Sequence, residues 1–100
     1  MLIQIVKFES ALTEAECERV ALERKPDYAA FPGLIQKYYV NRGNNRYAGI
    51  MIWESAEALA KFRESDLART VGPAYGVIGT PEVCVHDLMF PLREMDLAYA

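Results

Sequence analysis

The sequence predicts one α+β domain in which four strands and two helices follow one another as β-α-β-β-α-β. Three observations lead there. Short runs rich in β-branched and aromatic residues at positions 2–8, 34–40, 47–53 and 82–90 have the length and period of strands. Two stretches carry helix-start chemistry, Thr13-Glu14-Ala15-Glu16 and Ser55 ahead of Ala58, Leu59 and Phe62. The polar stretch Asn41-Arg42-Gly43-Asn44-Asn45 has residues that tolerate positive φ, and it joins the second and third strands as a hairpin.

Each element has its own warrant. The first strand is apolar apart from Gln4 and Lys7, as a strand covered on both faces should be. In the capping box, the Thr13 hydroxyl and the Glu16 carboxylate each satisfy a backbone N–H, so a helix begins there. It is expected to run to about Arg24, ahead of Pro26, with Cys17, Val20, Ala21 and Tyr28 inward. Phe31-Pro32-Gly33 breaks the chain before the second strand. Ser55 caps the second helix, whose apolar positions follow helical spacing while Lys61, Arg63 and Glu64 stay wet. Residues 67–81, with Gly72, Pro73, Gly76, Gly79 and Pro81, read as one irregular helical turn and a loop. The fourth strand is expected over 82–90, and 91–100 as an amphipathic tail. Right-handed crossovers and pairing of neighbours then give an antiparallel four-stranded sheet with both helices on one face, the ferredoxin-like arrangement.

Composition bounds the function. One hundred residues, 52% hydrophobic and 25% charged, make one ordinary globular domain. A net charge of -3 with scattered lysines and arginines excludes the basic face of a nucleic-acid binder and an electrostatic membrane anchor. No apolar stretch approaches the ~20 residues that span a bilayer, and the first residues lack a signal-peptide pattern, so a cytoplasmic protein is expected. Cys17 and Cys84 read as buried reduced thiols. With one histidine and separated cysteines no zinc site is readable, and P-loop, dinucleotide and hydrolase templates are absent. No cofactor and no metal are expected.

The strand faces carry a further consequence. The third strand places Tyr47, Gly49, Met51 and Trp53 on one side and Ala48, Ile50 and Ile52 on the other, and both are apolar. The first and fourth strands repeat the pattern. Two helices hide only one face, and leaving several large side chains in water would cost on the order of 10 kcal/mol, comparable to a whole domain's stability. A symmetric homodimer with sheet packed on sheet is therefore expected.

This organisation, with Phe31-Pro32-Gly33-Leu34, Lys37-Tyr38, Ala48-Gly49-Ile50, Trp53-Glu54-Ser55, Ala58, Phe62 and Asp87, resembles the antibiotic-biosynthesis monooxygenase family. The match covers about residues 2–90, and the YdhR-type monooxygenase branch is the nearest in pattern. The resemblance implies a dimeric α+β barrel and a cavity between the sheet and its own helices. In it, cofactor-independent members oxidise phenols or quinols with molecular oxygen. It implies that Trp53 lines that cavity. Such members pair the tryptophan with a polar residue where this chain has Gly49 and with a tyrosine where it has Leu59. Haem-degrading members use a tryptophan where Phe62 stands and a ligand histidine where Gly72 stands, so haem chemistry is not expected.

The substrate pocket is accordingly expected to be formed by Trp53, Gly49, Met51, Leu59, Phe62 and Tyr75, the last on a flap over it. A glycine between bulky neighbours leaves room for a packed side chain or a ligand. His86, whose ordinary pKa is ~6.5, and Tyr38 are the catalytic candidates for taking a phenolic proton. A satisfied structural histidine and a packed tyrosine pair are the bland alternatives. Asp87 cannot pair with its neighbour His86, because adjacent strand residues point to opposite faces. Lys37 and Tyr39 share one face of the second strand, Gln36 and Tyr38 the other. Arg42 and Arg46 flank the turn as solvated charges. The expected function is a cofactor-independent monooxygenase acting on a small aromatic molecule. The alternative is a non-catalytic dimer that binds an apolar one. Replacing Trp53 by a small residue is expected to change turnover more than melting.

Overall fold

A computed structural model describes residues 1–95. The elements are β1 (Leu2–Ser10), α1 (Glu14–Ala29), β2 (Leu34–Gly43), β3 (Arg46–Trp53), α2 (Ala56–Arg63), α3 (Asp66–Arg69), α4 (Val71–Tyr75) and β4 (Val77–Asp87). The strands form one antiparallel sheet in the order β2-β3-β1-β4, the ferredoxin-like topology expected from the sequence. Among the described residues no helix is long and apolar enough to cross a membrane. The expected tail is irregular to Met95, and residues 96–100 lie outside the described residues.

Local chemistry sets the boundaries. The Glu16 N–H donates to Thr13 Oγ1 at 3.2 Å and the Thr13 N–H to Glu16 Oε1 at 3.1 Å, completing the capping box. These bonds to its ionised form hold the Glu16 carboxyl below the usual range. The helix does not stop before Pro26. Proline removes one N–H, but helical bonding resumes when the Ala30 N–H reaches the Pro26 carbonyl at 3.0 Å. The extra turn carries Tyr28 into the core against Phe62, with ring centroids 5.9 Å apart, and that burial offsets the lost bond.

The hairpin turn is shorter than expected. Only Asn44 and Asn45, at φ 53° and 58°, turn the chain, and β2 continues to Gly43. Two residues at positive φ match the right-handed twist of the flanking strands. Gly33 has φ +85°, and a Cβ there would lie 2.4 Å from the Ala58 Cβ, so only glycine lets the chain pass beneath α2. At α2 the Ala58 N–H donates to Ser55 Oγ at 3.1 Å, the cap read from the sequence.

Residues 67–81 are more regular than expected. They contain two short helices, and β4 begins at Val77, because Gly76 at φ +54° ends α4 abruptly and turns the chain into the sheet. Pro81 is tolerated inside β4 since that strand is a sheet edge. The strand also stops at Asp87 rather than at Phe90.

Register fixes the two faces. Leu2, Gln4, Val6 and Phe8 pair with Trp53, Met51, Gly49 and Tyr47 on the helix-covered inner face, and Lys37 and Tyr39 of β2 join them. Ile3, Ile5, Ile50 and Ile52 lie on the outer face, with Tyr38, Cys84 and His86. Cys84 is exposed there, contrary to the expected buried thiol, because it lies on the edge strand β4, on the face turned away from the helices. Cys17 is buried and reduced. The core is one cluster that includes Tyr28, Met51, Trp53, Leu59 and Phe62.

Candidate active site

Between the inner face and the helices lies a cavity of about 600 Å³. Gln4, Val6, Gly49 and Met51 form its sheet side. Cys17, Ala21 and Tyr28 of α1, Phe62 of α2, and Val71 and Tyr75 of α4 form its helix side. Its volume suits a ligand of a few fused rings, and its lining is mainly apolar with a few convergent polar groups.

Glu14, Glu18, Arg63 and Arg69 also line it, and Lys37 is the cation on its sheet side. Its stem crosses the space above Gly49, where a Cβ would meet only Lys37 Cε, at 3.7 Å. The ammonium sits 3.3 Å from the Tyr28 ring centroid and 4.7 Å from that of Tyr39, a cation–π sandwich. Among the described residues no carboxylate pairs with it, since the ion pairs are Arg19–Glu23 and Arg69–Asp66. Burial, and then the Arg24 charge, lower its pKa from 10.5 to about 7. Arg24 itself is fastened to the Leu67 carbonyl at 2.7 Å and to Thr70 Oγ1 at 3.2 Å, so it cannot swing away. Its Nε is buried without a partner.

The cavity tyrosines behave oppositely. Burial raises the pKa of Tyr28, of Tyr75 and, although it is 44% exposed, of Tyr39, so all three hold their protons at neutral pH. Tyr75 is held by its ring contact with Phe8, 5.3 Å between centroids, and by the Ser10 hydroxyl, which donates to the Tyr75 carbonyl at 2.5 Å. Gln4 adds an oriented amide. The Trp53 indole N–H donates to Gln4 Oε1 at 3.1 Å, and because indole can only donate, this fixes the amide with its nitrogen free of protein acceptors among the described residues.

The same architecture occurs in solved structures. SnoaB, a cofactor-independent oxygenase from Streptomyces nogalater, matches with a TM-score of 0.74 at 19% identity, over 93% of this chain and 97% of that one. A candidate antibiotic biosynthesis monooxygenase from Caulobacter crescentus matches with a TM-score of 0.75 at 19% identity, over 89% and 90%. This is the antibiotic-biosynthesis monooxygenase fold. The NE2512 protein of unknown function from Nitrosomonas europaea shares it, with a TM-score of 0.81 at 13% identity over 95% of both chains. No family model and no curated protein matches the sequence.

Within this monooxygenase fold the expected site residues fall into three groups. Gly49, Met51, Phe62 and Tyr75 line the cavity together. Trp53 and Leu59 lie one layer behind it. Trp53 is 0% exposed, tilted against Phe62 at 5.0 Å and met edge-on by Phe31 at 5.8 Å, and it bears on the cavity through Phe62 and through its hydrogen bond to Gln4. His86 and Tyr38 lie on the outer face, where strand alternation puts them opposite Ile3 and Ile50 and away from the cavity. Tyr38 is 52% exposed. Gln4, Lys37, Tyr28 and Tyr39 enter the site without having been singled out for it. The parity of β2 and β3 already placed Lys37 and Tyr39 beside Gly49, but the helix that closes over them was expected to end before Tyr28.

Proposed function

We propose that the chain is a member of the antibiotic-biosynthesis monooxygenase family and oxidises a small electron-rich phenol, quinols included, with O₂ and no cofactor. The single observation behind this reading is Lys37, an amine with no carboxylate partner among the described residues, held against two tyrosine rings in a mainly apolar cavity with room for aromatic rings, where burial lowers its pKa to about 7. It replaces His86 and Tyr38 as the base, since both lie on the far face. A phenol of pKa ~10 gives its proton to Lys37 against a difference of roughly three pKa units, about 4 kcal/mol. The phenolate and ammonium so formed attract by about 4 kcal/mol at ~4 Å and an effective dielectric of ~20, which cancels that cost. Gln4 and the protonated tyrosines supply further hydrogen bonds to the oxyanion.

The oxygen step follows from the phenolate. It passes one electron to O₂, and the phenoxyl radical and superoxide combine at the carbon para to the oxygen. The peroxide anion takes the phenolic proton back from the Lys37 ammonium, and the para carbon's hydrogen then leaves with the outer OH as water, so that a quinone remains and the amine is restored. A phenol that lacks a para hydrogen reacts the same way at a free ortho carbon. One O₂ is consumed and the phenol supplies all the electrons. The protein's share is positioning, deprotonation and exclusion of water.

The functional species in this reading is a cytoplasmic homodimer, its outer faces packed against each other. Support comes from Ile3, Ile5 and Ile50, only partly buried on the outer face, and from Met89 and Phe90, 87% and 72% exposed just beyond β4.

Oxygen uptake with a panel of phenols and dihydroxynaphthalenes tests the reading. The expected result is one O₂ per quinone, without hydrogen peroxide, and a loss of roughly 10²- to 10⁴-fold in Lys37→Met, the usual contribution of a general base. Tight binding without oxygen consumption would retire the oxygenase in favour of a non-catalytic binding protein. Turnover under nitrogen would mean an isomerase or lyase.

A further inference from the structure

Lys37 has chemistry that proton transfer does not use. Its Nζ faces a cavity of about 600 Å³, lies against the rings of Tyr28 and Tyr39, and has no carboxylate partner among the described residues. Lysines at protein surfaces are ordinarily kept charged by water or a counter-ion. This one lies against two tyrosine rings, and the charge that bears on it, Arg24, has the same sign. Gly49 opposite leaves the approach to the amine clear, since a Cβ there would meet nothing closer than Lys37 Cε at 3.7 Å.

We infer that Lys37 is a covalent capture site for apolar aromatic aldehydes, which it binds as an imine inside the cavity. The nitrogen lone pair adds to the carbonyl carbon and the C=O π pair moves to oxygen. The two amine hydrogens leave with that oxygen as water, and a C=N bond remains. Nothing is oxidised or reduced. The step needs the free amine, and the burial that holds the Lys37 pKa at about 7 provides a large share of it at neutral pH. Val6, Met51 and Phe62 exclude water that would return the imine to the aldehyde. An imine pairs the nitrogen with a neutral apolar group, so the captured state suits the cavity better than the lone ammonium does. This inference stands apart from the oxygenase reading, because capture needs no O₂.

Reductive trapping tests it. The whole protein is incubated under nitrogen near neutral pH with naphthaldehyde and cyanoborohydride, and adducts are counted by intact mass and mapped on peptides. One adduct per chain is expected, on Lys37, while the exposed Lys7, Lys25 and Lys61 serve as internal controls. Lys37→Met and Lys37→Arg should each lose it. Arginine keeps a cation in place and cannot form the imine, and circular dichroism on both variants separates lost capture from lost folding. No adduct, labelling spread equally over the exposed lysines, or an adduct that survives in a folded Lys37→Met protein would each overturn the assignment.

Discussion

Lys37 occupies a place where its charge is costly. Its pKa falls from 10.5 to about 7, and each unit is about 1.4 kcal/mol, so burying the ammonium costs on the order of 5 kcal/mol at most. Below about pH 7 both the folded and the unfolded chain bind the proton and the whole cost is present. Between 7 and 10.5 only the unfolded chain binds it, so stability rises with pH. Lys37→Met should therefore melt higher than the native protein at pH 7, and the gap should close toward pH 10, as measured by thermal unfolding across that range. Trp53 is the complementary case. It is fully enclosed, so Trp53→Ala should destabilise by roughly 3–5 kcal/mol, a large effect on melting beside the larger effect on turnover expected from the sequence. Trp53→Phe keeps most of the packing but leaves Gln4 Oε1 without its donor. It should cost about 1–3 kcal/mol and reduce turnover by releasing the Gln4 amide, which urea unfolding and steady-state kinetics together would show.

The elements are held by small local devices, and those devices decide what could be read from the residues. Capping boxes, strand alternation and the Asn-rich turn are each encoded within a few positions, so α1, α2 and the sheet order were all legible. What escaped depends on contacts distant in sequence. Pro26 reads as a helix stop, and only the pocket awaiting Tyr28 carries the helix past it. The glycines and prolines of 72–81 read as a loop, yet the free edge of β1 draws residues 77–81 into the sheet. Gly33 is the most constrained of these positions. Gly33→Ala would add strain at φ +85° and force a Cβ against Ala58, so it should lower stability by at least about 2–3 kcal/mol and loosen the start of α2. Hydrogen exchange at Ala58 and Leu59 would register the loosening.

At the scale of the molecule the sheet divides two tasks. Its inner face makes the cavity, and its outer face, turned away from the helices, carries the partly buried Ile3, Ile5 and Ile50. The pocket-lining quartet of Gly49, Met51, Phe62 and Tyr75 could be found from one strand's parity and one helix's spacing. The proposed base could not, because the histidine is chemically conspicuous while the lowered pKa of the lysine comes only from its burial. If a second copy covers the outer face, Ile50→Lys should convert the protein to a monomer in sedimentation, with a free energy of association weakened by several kcal/mol. A native chain that sediments as a monomer at micromolar concentration would remove the dimer from the account.

The enclosed, unpaired amine carries the proposed base chemistry and aldehyde capture alike, and it can be observed directly. Carbon-13 and nitrogen-15 lysine labelling, with the Lys37 resonance assigned by its loss in Lys37→Met, gives its titration in the intact protein. A midpoint near 7 is expected. A midpoint at the ordinary lysine value of ~10.4 would mean that the amine is wet, and it would contradict the site from which both proposals start.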